Sequence, residues 1–234
     1  MNLFKTFSRK SAGLALTAVL ALAGASSAQA LVVNVGAPAT SFDFAGTGGM
    51  YNLHTSGTIA VTSMNATTMV VAFTLNNAST LLDGSLITPA SDARLVSFGF
   101  GIDPNISGIL GFNSIDGFGM LDAVKTTQQG VTNIPSLAGI EVCAFGGVSC
   151  AGGSNGGLIA GSSDSFIITM SGNFGSLQSV TFDPLGVKYQ TGAGSFEFSC
   201  TATGCDPTKV PEPASMALLG LGFAAFGMVR RRQS

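Results

Sequence analysis

The stretch that decides the fold is Thr58–Leu75, TIAVTSMNATTMVVAFTL. Within it Val71, Phe73 and Leu75 share one side of an extended chain, and Ala72 and Thr74 share the other. That period of two belongs to a strand with one buried face. Thr58–Met64 is a first strand, Thr68–Leu75 a second, and Asn65-Ala66 a hairpin turn between them. Working outward, similar short runs occur at Leu31–Val35, Arg94–Ile102, Gly139–Ala144, Ser165–Met170, Ser179–Phe182, Val187–Gln190 and Ser195–Ser199. Gly, Asn, Ser and Asp punctuate them, and Asp183-Pro184-Leu185-Gly186 reads as a turn between two of the strands. There is neither a long helical period nor an internal repeat, which removes solenoid readings. The expected class is all-β: an antiparallel β-sandwich or jelly-roll-like domain, flanked by an N-terminal signal helix and a C-terminal transmembrane helix.

Composition narrows the function classes. Of 234 residues, 46% are hydrophobic and only 9% charged, against about 25% charged in a typical soluble domain. Ample apolar material excludes disorder of the charged, apolar-poor kind. A net charge of −2 and a pI of about 5.2 exclude nucleic-acid binding through a basic face. The charge is also segregated. Lys5, Arg9, Lys10, Arg230, Arg231 and Arg232 lie at the ends, whereas 31–210 holds four basic residues against eleven acidic ones, a net charge of −7. Basic ends on an acidic body mark targeting segments.

The N-terminus has the three parts of a secretory signal: Lys5, Arg9 and Lys10, then the apolar run Ser11–Ala25, then Ala28 and Ala30 in an A-x-A cleavage pattern. Cleavage by signal peptidase is expected after Ala30. A retained anchor is the competing reading, but the run is short for a span. At the other end Val210-Pro211-Glu212-Pro213 precedes Ala214–Val229, sixteen residues without a charge, and then Arg230-Arg231-Arg232. As a helix the run is about 24 Å long, short of a ~30 Å hydrocarbon core, a mismatch that thinning and snorkelling arginines can absorb. The arginines place the C-terminus in the cytoplasm. The chain thus divides into 1–30, a signal peptide; 31–209, a Gly-rich extracytoplasmic β domain; and 210–234, a sorting tail.

This tail (VPEP, apolar helix, arginine cluster) resembles the PEP-CTERM sorting signal of Gram-negative bacteria. The resemblance implies recognition of Pro211, Glu212 and Pro213 by an exosortase in the inner membrane, transient anchoring there, and delivery to the cell surface or an exopolysaccharide matrix. Three inner segments, Phe98–Asn105 (FGFGIDPN), Val142–Gly157 (VCAFGGVSCAGGSNGG) and Phe182–Phe198 (FDPLGVKYQTGAGSFEF), are similar to those of the cistern family of PEP-CTERM proteins. That similarity implies architecture rather than chemistry.

Cys143, Cys150, Cys200 and Cys205 are an even set in an exported chain, which favours disulfides. Three connectivities are open, the simplest being 143–150 with 200–205; a zinc site is the competitor, against which the wide spacings argue. Groups in catalytic patterns are few. His54 is the chain's one histidine, with Ser56 nearby and Asp43 earlier, and no G-x-S-x-G elbow accompanies them. Asp83, Asp103, Asp116 and Asp183 precede Gly or Pro in turns; Glu141 and Glu197, on candidate strands, are the one pair to consider for glycoside hydrolysis. Gly152–Gly157 (GGSNGG) lacks the lysine of a P-loop and reads as a flexible loop beside Cys150. Asp103-x-Asn105-x-Ser107-Gly108 follows the first half of a calcium loop, but Ser114 stands where the closing Glu belongs. No other cofactor is indicated. The expected function is that of a non-enzymatic exported surface or matrix protein; the alternative is a secreted carbohydrate-binding β-sandwich, calcium-assisted through Asp103, Asn105 and Ser107.

Overall fold

The hairpin read from Thr58–Leu75 lies at the centre of the molecule, as β3 (Tyr51–Met64) and β4 (Thr68–Asn77). Its turn is held by Asn65, whose Oδ1 accepts from the backbone N–H groups of Thr67 and Thr68 at 2.9 and 2.8 Å. Such an Asx bond is why Asn is favoured in turns. The structure is a computed structural model that describes residues 30–115, 121, 123–126, 134–152 and 155–200. The signal run with Ala28, Asp116, the tail from 201 with Cys205, and the side chain of Cys200 lie outside the described residues. Among those described, no helix is long and apolar enough to cross a membrane.

Two antiparallel sheets make up the described chain. The first runs β1 (Leu31–Asn34), β12 (Ser179–Thr191), β6 (Ala93–Asp103), β9 (Val142–Phe145), β8 (Ala123–Thr126), with β10 (Leu158–Ile159) on β6 and β13 (Gly194–Cys200) on β12. The second runs β2 (Thr40–Gly48), β3, β4, β11 (Ser162–Gly172), β7 (Ile106–Ser114), with β5 (Thr80–Leu81) on β3. Inward residues of the two sheets merge into one apolar core. Phe73 of β4 sits at its middle, with ring centroids 5.2 Å from Phe166 in its own sheet and 5.6, 5.2 and 6.3 Å from Phe98, Phe100 and Phe182 across the interface. These are stacked and edge-on contacts, each favourable beyond its buried area.

Polar groups inside this core find partners, as burial demands. The hydroxyls of Thr55 and Tyr189 share a hydrogen bond from one sheet to the other. The Asn77 amide donates to the carbonyls of Ala93 (3.2 Å) and Leu158 (2.7 Å), and its oxygen accepts from the Ser79 hydroxyl at 2.7 Å.

Asp183-Pro184-Leu185-Gly186 is no turn between strands; it lies inside β12, where the register shifts between Phe182 and Leu185. A bulge is where a strand tolerates proline, so one continuous strand replaces the two expected. The strand expected over Gly139–Ala144 is β9, Val142–Phe145, which leaves Glu141 just ahead of it. β2 and β7 were not foreseen. In β2 the inward places after Phe42 and Phe44 fall to Gly46 and Gly48, so no apolar alternation runs its length. Phe198 and Phe196 of β13 cover those glycines: a Cβ at Gly46 would overlap the Phe198 ring, and one at Gly48 would lie 2.7 Å from Phe196. The missing side chains are the space that β13 fills.

Candidate functional site

The two sheets present very different outer faces. That of the first sheet is roofed by residues 134–141 and 146–152, which flank β9 and fold back over it. Ile134, Ile140, Cys143, Phe145 and Cys150 form a second small apolar cluster there, with Leu137 packed against it. Glycine makes room: a Cβ at Gly186 would overlap Leu137, and one at Gly99 would lie 2.6 Å from Ile140. Cys143 and Cys150 are joined as a disulfide, with Cα atoms 6.2 Å apart. Ser97 of β6 ties the roof down by donating to the Cys150 carbonyl at 2.9 Å.

Under this roof lies an ion pair. Lys188 and Glu197 are direct cross-strand partners on β12 and β13, and their side chains, 7% and 10% exposed, are hydrogen-bonded. Glu197 also accepts from the Ser136 backbone N–H at 2.8 Å. Burial pushes its carboxyl pKa up, but the bonds from Lys188 and Ser136 more than offset this and leave it below the ordinary value. Lys188 was not singled out from the sequence. Its signal was there: a charge between Val187 and Tyr189, both buried in the core, must point to the opposite face.

Glu141 behaves oppositely. Burial raises its pKa, and the charge of Asp103 raises it further against a lowering bond from the Ile102 backbone. Its Oε2 has no hydrogen-bond partner among the described residues, while Oε1 lies 3.2 Å from the Asn105 side-chain nitrogen in the amide orientation that also turns that nitrogen to the Ile102 carbonyl. Thus Glu141 and Glu197 answer to separate partners. Of the calcium pattern, Asp103 closes β6, Asn105 turns toward Glu141 and Ser107 enters β7. Among the described residues no group of three His, Cys, Asp or Glu is placed to hold a metal.

No described segment packs over the outer face of the second sheet. His54 Nε2 and Asp43 Oδ1 are 2.6 Å apart, and Ser56 stands opposite Asp43 across the β2–β3 ladder. The sheet therefore does bring Asp43, His54 and Ser56 together, on an open surface where His54 and Asp43 remain 35% and 53% exposed. The geometry supplies a polar row with a hydrogen-bonded pair at its end.

The described strands run from Leu31, next to Ala30, to Cys200, ahead of the tail. Residues 209–232 match the model of the PEP-CTERM protein-sorting motif. The tail is a PEP-CTERM sorting signal. The chain is accordingly an exported protein with a C-terminal, membrane-anchored sorting signal, and an exosortase is its processing partner. No curated protein and no solved structure matches the chain.

Proposed function

We propose that this PEP-CTERM protein is a non-enzymatic component of the Gram-negative cell surface or exopolysaccharide matrix. The observation that carries the reading is the sorting motif at 209–232. In this reading residues 1–30 are removed by signal peptidase, and Pro211, Glu212 and Pro213 are what the exosortase recognises. Strand pairing that begins at Leu31, opposite Phe182, fits a mature chain starting there. The commitments of the chemical groups favour a structural role: His54 is engaged with Asp43, Glu197 with Lys188 and Ser136, and Cys143 with Cys150. The cistern resemblance of the inner segments, and a second disulfide from Cys200 to Cys205, belong to the same proposal.

The test is fractionation of the native host, with and without its exosortase, followed by intact mass. A mature form that begins at Leu31 and lacks the tail beyond Pro213 is expected. A full-length tail in the inner membrane, unaffected by loss of the exosortase, would make the chain a plain anchored protein. The second reading, a carbohydrate-binding sandwich, is favoured by the outer face of the second sheet.

A further inference from the structure

An antiparallel sheet with one face on a core turns its other face to water, and such surfaces ordinarily carry charge at about a quarter to a third of positions. The second sheet does not. No lysine or arginine lies anywhere on β2, β3, β4, β7 or β11. Register places Asp43, Ser56, Asn76 and Ser163 in one row across four strands. Thr74 and Ser165 stand opposite each other in the row beside it. The row members hold one another: Ser163 donates to Asn76 Oδ1 at 3.2 Å, and the Thr74 and Ser165 hydroxyls are 3.2 Å apart. With Asp43 held by His54, the face is rich in short hydroxyls and its described strands carry no lysine or arginine; the next outward row across β3, β4 and β11 is Ala60, Ala72 and Ile167.

We propose that this face binds a neutral polysaccharide chain, a partner class that deepens the reading of the molecule as an exported surface protein. Hydroxyls that both donate and accept recur about 4.8 Å apart across strands and about 7 Å apart along them. A polyhydroxylated chain offers the same mixture along its length. Short side chains lose little rotamer freedom on contact, and the fixed pairs have already lost theirs. Charge selects the polymer: with no cation on the face and an acidic body behind it, an anionic chain is repelled, whereas a neutral one is not. A second copy of this chain fits less well, because stable interfaces have an apolar core and this face offers for one only the row Ala60, Ala72 and Ile167 with Val70 beside it.

The test uses the full chain, extracted from the host envelope in mild detergent, and native electrophoresis through gels containing dextran, soluble β-glucan or, as the anionic comparison, alginate. The wild type should be retarded by at least one neutral polymer and not by alginate. Thr74→Arg should lower that retention by tenfold or more, with an unchanged melting temperature. Val148→Arg, at an exposed position on the roof, should not. A wild type that runs freely through both neutral polymers overturns the proposal, as does equal weakening by the two variants. So does a Thr74→Arg effect on sedimentation alone, which would mark the face as an interface between copies. Localisation is read separately: retention by the extracted protein stands whether or not the host sorts it through the exosortase.

Discussion

The same sandwich treats its two outer faces in opposite ways. The first sheet is covered on both sides, by the aromatic core within and by the stretches flanking β9, 134–141 and 146–152, without; among the described residues the second keeps its outer rows open. A charge tolerated under the roof must therefore be paired, whereas a charge added to the open face has water around it. Lys188 and Glu197 follow the first rule, and the exposed Asp43–His54 pair lives under the second.

The largest expected break in this contrast is Lys188→Met. It strands Glu197 beneath the roof and should cost about 3–5 kcal/mol in denaturant unfolding. Adding Glu197→Leu should recover most of the loss; if the double variant is no better than the single one, the pair is not what the roof covers. Removing the roof's cross-link with Cys143→Ala and Cys150→Ala should cost roughly 2 kcal/mol, as expected for a short loop. An unchanged unfolding midpoint would mean that packing alone holds the segment.

Acid titration sharpens the contrast within the covered side. Folding lowers the Glu197 pKa, so its stabilisation is complete above the unfolded value of about 4.3 and disappears as pH falls through the lower folded value. Folding raises the Glu141 pKa, so its cost is absent below about 4.3 and complete above the raised value. Glu197→Gln should therefore lose stability at pH 7 and soften the acid transition. Glu141→Gln should gain stability at pH 7 and change nothing at pH 3, as melting curves between those limits would show. The smallest effect belongs to the open face: Thr74→Lys should shift stability by less than about 0.5 kcal/mol. A large loss there would mean that the face is covered after all.

Strands were legible where apolar alternation survived, as in Thr68–Leu75 and Arg94–Ile102, and illegible where it was interrupted. β2 went unseen because Gly46 and Gly48 occupy inward positions that only Phe198 and Phe196, about 150 residues later, make sense of. The Asp-Pro-Leu-Gly run kept its turn chemistry but lost its turn to a bulge, since β6 pairs with β12 on both sides of it. Among the candidate groups, the nearness of Asp43 to His54 and Ser56 followed from a hairpin register that spacing alone does not set. The parting of Glu141 and Glu197 depended on where the segment 134–152 lies down.

By itself the sequence determined the C-terminal sorting signal and the all-β class of the fold. A sorting motif is read as a local peptide, so Val210-Pro211-Glu212-Pro213 with its apolar run and arginines carries its meaning without a fold. Alternation within one strand likewise needs only its own side chains. The tertiary structure alone decided which face is roofed and which stays open, because that turns on contacts between segments far apart in the chain. Gly186 has meaning beneath Leu137, Lys188 beside Glu197, and Asn76 beside Ser163; nothing local in the sequence joins any of them.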